Sequence, residues 1–376
     1  MKRIAIFCDG TWNRMSAEHP TNVLVGAQLV LPVDAAGIQQ ITYYDEGVGT
    51  DGPEFIKLLQ GAFGWGLLEK IEAAYRFLIF NYEPGDEVYI FGFSRGAYTA
   101  RSLAGLIRKC GIAPRSQAGQ IREIVEFYKD AATKPDSDEA QRRRMLWSPG
   151  VILKELDRQW RLDHGALPDV VSSAKMLTIR YVGVWDTVGA LGVPKHLLIN
   201  TFFPTKKYEF HDHQLSSTVR AARHAVATDE RRLSFEPSLW DNLDILNAAA
   251  GDSGKYQQIW FPGDHGSVGG GGDIRELSND ALAWIMDGAA VEGLALNLDR
   301  LEALRRATDP LAPLHNQTQK PGLMDRIYQL ADRDGPQRAD LLSESTKVRL
   351  AYEAKAKDWR PYRPLTLRAV WPKANG

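Results

Sequence analysis

The sequence predicts an α/β fold, a mostly parallel sheet with helices on both faces and helical insertions. Three observations predict it. Short, near-continuous apolar runs recur along the chain, most of them pass directly into Gly, Asp or Ser clusters, and stretches of helical apolar spacing lie between them. Strands apolar on both faces belong in a parallel sheet covered by helices on each side. Such sheets carry their sites at the carboxyl ends of the strands.

In chain order the runs are Ile4–Cys8, Ile41–Tyr44, Val88–Phe91, Leu177–Trp185 and Gln257–Phe261. Leu67–Asn81 has helical spacing. Ala97, Ala100, Leu103, Ala104 and Ile107 form one apolar stripe, which Gly111 closes as a C-cap. Residues 112–175 are charged and helix-prone, with Arg142, Arg143 and Arg144 in a row, and predict a solvated helical insertion. A second helical insertion is expected at about 188–255, where the apolar run Leu197–Pro204 suits a lid, a lipid-facing rim or a core segment. The chain thus divides into a catalytic domain at 1–290 and a helical C-terminal extension and tail at 291–376, opened by the helical run Leu294–Arg306.

Composition bounds the function. The 376 residues carry 46 Lys+Arg against 47 Asp+Glu, a formal net charge of −1, with 44% hydrophobic and 25% charged residues. This excludes a disordered or fibrous chain and lacks the basic surplus of a nucleic-acid binder. Cys8 and Cys110 cannot make a disulfide framework. The N-terminus offers only the five apolar residues Ile4–Cys8 before Asp9, short of the roughly 7–15 of an export signal. No window approaches the roughly 20 apolar residues of a membrane helix. A chain that is cytoplasmic as synthesised is expected, with export by a machine that reads no N-terminal signal left open.

The strongest motif is Gly92-Phe93-Ser94-Arg95-Gly96, directly after Val88–Phe91 and directly before the helix from Ala97. This is G-x-S-x-G in the strand–turn–helix context of a nucleophile elbow, which makes the expected fold α/β-hydrolase-like. A serine on such a turn projects its hydroxyl above the sheet, and the small residues Gly92 and Gly96 let helix and strand approach. The next N–H, on Arg95, points at a developing oxyanion at a helix N-terminus.

The hydroxyl needs a base, and the base an orienting acid, in the chain order Ser, acid, His. His19 precedes Ser94, His164 lies in the charged insertion, His196, His211, His213 and His224 precede the fifth apolar run, and His315 lies in the tail. His265 follows that run in the small-residue loop Pro262–Gly272, beside Gly263, and is the expected base. Asp186, at the end of Leu177–Trp185, is the expected acid; Asp229, taken as helical, and Asp264 and Asp273 are rivals. The second oxyanion donor is expected from Gly10 or Thr11 after the first strand, in a loop fixed by Asp9.

No cofactor or metal is expected. Gly47–Gly52 matches G-x-G-x-x-G, but Asp45 and Glu46 stand where a pyrophosphate would approach and Pro53 follows, so it reads as a glycine-rich loop near the site. Gly269–Gly272 lacks the Lys-Ser/Thr of a phosphate loop, and His211-Asp212-His213 has no third ligand at a fitting spacing.

Six ordered strings together resemble a known family. They are Cys8-Asp9-Gly10-Thr11-Trp12-Asn13, Tyr43-Tyr44 with Gly47-Val48-Gly49-Thr50, Gly92–Ala97, Gly183–Val188, His224-Ala225 with Asp229–Arg232, and Trp260–Gly263 ahead of His265. Over roughly residues 1–290 they resemble the uncharacterised α/β-hydrolase domain family that includes the phospholipase effectors of bacterial type VI secretion. Relatives often carry an acidic or amide residue at the position of Ser267 and an aromatic at that of Gly272. The resemblance implies a serine lipase or esterase with Ser94, Asp186 and His265 as its triad. It implies a membrane lipid or other small ester as substrate, contact with a membrane surface, and an immunity or secretion partner of unknown identity. Acyltransferase or thioesterase chemistry on the same site, and an inactive hydrolase fold kept as an interaction module, are the alternatives.

Overall fold

A computed structural model describes residues 1–10, 15–47, 63–189, 214–314, 330–353 and 360–371. Six strands form the central sheet: β1 (Arg3–Cys8), β2 (Gln40–Asp45), β3 (Glu87–Phe93), β4 (Ile179–Trp185), β5 (Val219–Ala227) and β6 (Tyr256–Phe261). Their order is β2-β1-β3-β4-β5-β6, and every neighbouring pair is parallel. The chain begins at β1, steps to one side for β2, then returns past β1 for β3. The strand order therefore reverses between β1 and β3, and the crevice above their carboxyl ends is where such a sheet binds ligands.

Alternation within the strands builds two core layers. Ile4, Ile6, Val88, Ile90, Val182 and Val184 face helices α1 and α2 defined here as Phe63–Asn81 and Arg95–Cys110, against Ile71, Tyr75, Leu78, Leu103 and Ile107. Ala5, Phe7, Tyr89, Phe91, Tyr181 and Trp185 face the opposite way, against residues of Asn22–Leu29 and of α3 (Glu276–Val291), including Val23, Leu29, Leu282 and Ile285. Phe7 and Phe91 stack across adjacent strands with ring centroids 4.5 Å apart. Each such large buried side chain contributes about 1.5–3 kcal/mol of burial. Cys8 and Cys110 both lie in the first layer, unpaired and fully enclosed.

Four expectations are corrected. The stretch 188–255 is not a helical insertion throughout, because β5 runs through it between β4 and β6. Its residues, Val-Arg-Ala-Ala-Arg-His-Ala-Val-Ala, carry alanines where the neighbouring strands carry large residues, so propensity hid a strand that pairing on both sides imposes. Asp229 accordingly follows a strand and not a helix. In the 112–175 insertion, which holds helices Ile121–Lys129, Asp138–Trp147, Leu156–Asp163 and Pro168–Ser173, the triple arginine is only partly solvated. Arg144 is buried and donates to the carbonyls of Lys109 at 3.2 Å and Pro135 at 2.6 Å. The run Leu294–Arg306 becomes a helix only from Leu298, where Asn297 caps it, while Leu294 and Leu296 turn into the core. Leu197–Pro204 lies outside the described residues.

The C-terminal segment packs on the sheet. Leu342, Leu350 and Leu367 form a third core with Val226 and Trp260. The Trp260 carbonyl accepts from the Ser343 N–H and the Thr346 hydroxyl, each at 2.9 Å. The outer edge of β6, which would otherwise offer unpaired backbone groups, is covered in this way. Among the described residues no helix is long and apolar enough to cross a membrane.

Candidate active site

Ser94 stands between the last residue of β3 and the first of α2, with φ 59° and ψ −124°. A non-glycine residue holds such a backbone only when its surroundings impose it. They do so here. The Ser94 N–H donates to the Trp185 carbonyl at 3.0 Å, tying the turn to the end of β4. A Cβ on Gly96 would lie 2.1 Å from the Cys8 carbonyl oxygen, and one on Gly92 would lie 2.3 Å from the Gly96 carbonyl oxygen. Strand, turn and helix approach this closely because both flanking residues lack side chains.

Asp186 follows β4 directly, fully buried and also at positive φ, 34°. Its N–H donates to the Ala225 carbonyl at 2.7 Å. His265 opens the short helix His265–Gly269, which Asp264 caps by accepting from the Ser267 N–H at 2.9 Å. The His265 Nδ1 lies 2.6 Å from Asp186 Oδ2, and its Nε2 lies 2.8 Å from Ser94 Oγ. An ionised carboxylate only accepts, so Nδ1 carries the proton and donates. That leaves the Nε2 lone pair to accept from the serine hydroxyl. The rings of Phe93 and Phe235 flank the imidazole at 4.6 and 4.8 Å.

Four donors converge on Asp186. Oδ1 accepts from the Ala227 N–H at 2.9 Å and from Arg333 Nη1 at 2.7 Å; Oδ2 accepts from His265 and from Arg333 Nη2 at 2.9 Å. Burial alone would push this carboxyl up. The Arg333 charge, with the hydrogen bonds from His265 and Arg333, overrules burial and holds it well below the usual carboxylate range. Arg333 is the neighbour of Asp186 that sequence reasoning missed. It lies in the charged tail, and no local pattern marks it.

A second set of contacts positions the loop that carries His265. Gly263, at φ 109°, donates its N–H to Asp229 Oδ2 at 2.7 Å, while the Asp229 N–H donates to the Gly263 carbonyl at 3.0 Å. These bonds tie the end of β5 to the end of β6, and the Tyr362 hydroxyl adds a third at 2.7 Å on Asp229. Glu230 accepts from the His265 N–H at 3.3 Å and pairs with Arg232 at 2.7 Å. Burial raises the Glu230 carboxyl, but the Arg232 bond and charge bring it below its ordinary value.

On the β1 side, Asp9 accepts from the hydroxyls of Thr21 at 2.5 Å and Tyr44 at 2.7 Å through Oδ2. Its Oδ1 accepts the N–H of the next residue, Gly10, at 2.7 Å. The expectation that Gly10 aims this N–H at an oxyanion is thus corrected: Asp9 holds it. Thr11 lies outside the described residues, as do His196, His211, His213, His315 and most of the Gly47–Gly52 loop. His224 is buried beside the site with a separate task. Its Nε2 accepts the Thr187 N–H at 3.1 Å, and Nδ1 pairs with Gln258 Oε1 at 3.0 Å. Burial and the Arg101 charge push its pKa down to about 3, so it is neutral. Among the described residues no group of three His, Cys, Asp or Glu could hold a metal ion.

Residues 2–288 match the family described as T6SS, phospholipase effector Tle1-like, catalytic domain. An uncharacterised protein of Saccharomyces cerevisiae is 28% identical over 248 residues, which cover 62% of this chain and 32% of that protein. Among solved structures, a Tle1 effector bound to the VgrG spike of the type 6 secretion system is 20% identical, with a TM-score of 0.36, covering 72% of this chain and 51% of that one. An uncharacterised protein from Pseudomonas aeruginosa is 16% identical, with a TM-score of 0.41, covering 81% of this chain and 48% of that one. The chain spans about a third of the yeast protein's length and about half of each solved chain's.

Proposed function

The chain belongs to the Tle1-like phospholipase effector catalytic-domain family, and on that premise we propose that it is a serine hydrolase that cleaves the acyl esters of phospholipids. The observation that carries the reading is the single imidazole bridging Ser94 Oγ and Asp186 Oδ2 at 2.8 and 2.6 Å. Ser94 Oγ attacks the ester carbonyl as its proton passes to His265 Nε2. The imidazolium so formed is stabilised by Asp186, which also keeps Nδ1 protonated throughout. The tetrahedral intermediate then collapses. His265 returns the proton to the leaving alkoxide, an acyl-Ser94 ester remains, and water activated by the same base releases the fatty acid.

The Arg95 N–H, at the N-terminus of α2, is the proposed oxyanion donor from the elbow. A second donor belongs to the loop after β1, where Thr11 is the remaining candidate, since Gly10 is engaged by Asp9. Losing one such donor costs about 10²–10³ in rate.

Fluorophosphonate labelling with peptide mass spectrometry, alongside fatty-acid release from phosphatidylethanolamine–phosphatidylglycerol vesicles, tests the proposal. The label is expected on Ser94 and to be lost in His265→Ala. Ser94→Ala is expected to lower fatty-acid release by about 10⁶-fold while retaining the wild-type circular dichroism spectrum. Undiminished release by a folded Ser94→Ala protein would overturn the assignment.

A further inference from the structure

We propose that Arg333 is a positioning residue for the site, its guanidinium fixing the Asp186 carboxylate so that the C-terminal segment completes the Ser94–His265–Asp186 chain. The inference rests on the serine-hydrolase reading and adds to it a residue from outside the family match at 2–288.

The geometry is a fork on a fork. Nη1 meets Oδ1 at 2.7 Å and Nη2 meets Oδ2 at 2.9 Å, so the plane of the guanidinium sets the plane of the carboxylate. That plane decides where Oδ2 presents its lone pair to His265 Nδ1. The guanidinium is anchored in turn: Nη1 donates to the Ala227 carbonyl at 2.8 Å, and Nη2 donates to that of Phe235, whose ring lies against His265. Lysine, a point charge, could not supply this alignment.

Delivery of the residue is also built. Leu330 makes an antiparallel bridge to Arg232, and the Ala331 N–H donates to the Arg231 carbonyl at 2.8 Å. Asp332 pairs with Arg231 at 3.1 Å. This short strap therefore runs along the residues that follow Glu230, which itself accepts the His265 N–H. One strip of chain after β5 thus registers both the histidine loop and the arginine.

Energetics argue for a role beyond holding the fold. Arg333 is buried, and its Nε has no hydrogen-bond partner among the described residues. Burying a guanidinium is costly, and well-packed apolar groups of like volume commonly serve stability better. What an apolar group could not do is keep Asp186 ionised where burial opposes its charge.

The test uses the full chain with Arg333→Met and Arg333→Lys, assayed by rate of Ser94 labelling, by kcat and KM on the same phospholipid vesicles, and by thermal melting. In both variants kcat and the labelling rate are expected to fall about 10- to 100-fold, with KM within about two-fold. In Arg333→Ala, added methylguanidinium is expected to restore part of kcat without raising Tm. A folded Arg333→Met protein that labels and turns over at the wild-type rate overturns the inference while leaving the hydrolase reading intact. Should that variant melt too low to assay, wild-type kcat in Arg333→Lys overturns it equally. Absence of label on the wild-type protein would instead overturn the hydrolase reading, and the inference with it.

Discussion

The turn that presents Ser94 is assembled by neighbours in sequence: β3 leads in, α2 leads out, and Gly92 and Gly96 permit the approach. The Asp186 carboxylate is held by the opposite means. Its partners come from the end of β5, from the loop after β6 and from Arg333, 147 positions along the chain. The local half is strained, and from outside the strand–turn–helix unit it meets chiefly the Trp185 carbonyl and the end of β1 at Cys8. The distributed half depends on whether remote segments are docked. Where a site is built in both ways, the nucleophile is fixed by covalent neighbourhood and its activation by tertiary assembly.

Breaking the distributed half at its centre should give the larger effect. Asp186→Asn keeps the shape but can no longer hold His265 in the tautomer with Nδ1 protonated, and kcat for ester hydrolysis is expected to fall about 10⁴-fold. Steady-state kinetics on vesicles would check it. A loss no greater than that of the Arg333 variants would show that the carboxylate does no more than its clamp. Breaking the local half acts on the fold. Gly96→Ala puts a Cβ against the Cys8 carbonyl, at 2.1 Å before relaxation. Stability is expected to drop by about 3 kcal/mol, the upper range for overpacking, as a lowered midpoint in urea unfolding. Labelling of whatever fraction stays folded should be lost as well.

The smallest effect sharpens the comparison of the two buried histidines. His265 is the proposed base, whereas His224 accepts the Thr187 N–H and meets Gln258. Its folded pKa of about 3 lies under the ordinary value of 6.5. Below pH 6.5 the unfolded chain takes up a proton that folded His224 refuses, so stability falls as the pH falls from about 6.5 towards 3. The slope for one such group is about 1 kcal/mol per pH unit. His224→Gln, which can still accept the Thr187 N–H, is expected to flatten the change in urea midpoint between pH 7 and pH 5. An unchanged slope would remove His224 from that role.

The same division governs what could be read from the sequence. The elbow was legible because G-x-S-x-G and its flanks are contiguous, and His265 and Asp186 because each sits at the end of an apolar run. The strand β5 was not: its Ala and Arg residues carry no strand signal, and pairing with β4 and β6 makes it a strand. Asp229 was misread with it. Arg333 was illegible for a related reason, since a buried arginine and a solvated one look alike until the partner is placed. The Gly10 N–H was assigned by analogy of position, and the carboxylate beside it, fixed by Thr21 and Tyr44, claims it instead.

The two cysteines give the core a chemical clock. Burial pushes the Cys8 thiol far above its ordinary range and the Cys110 thiol up to about 12. Neither supplies thiolate while its layer is closed, so alkylating reagents and oxidants must wait for the protein to open. Cys8 ends β1, the strand beside the edge strand β2, and Cys110 ends the helix that Ser94 begins. Pulsed alkylation read residue by residue would therefore time the opening of that layer at its strand end and at its helix end.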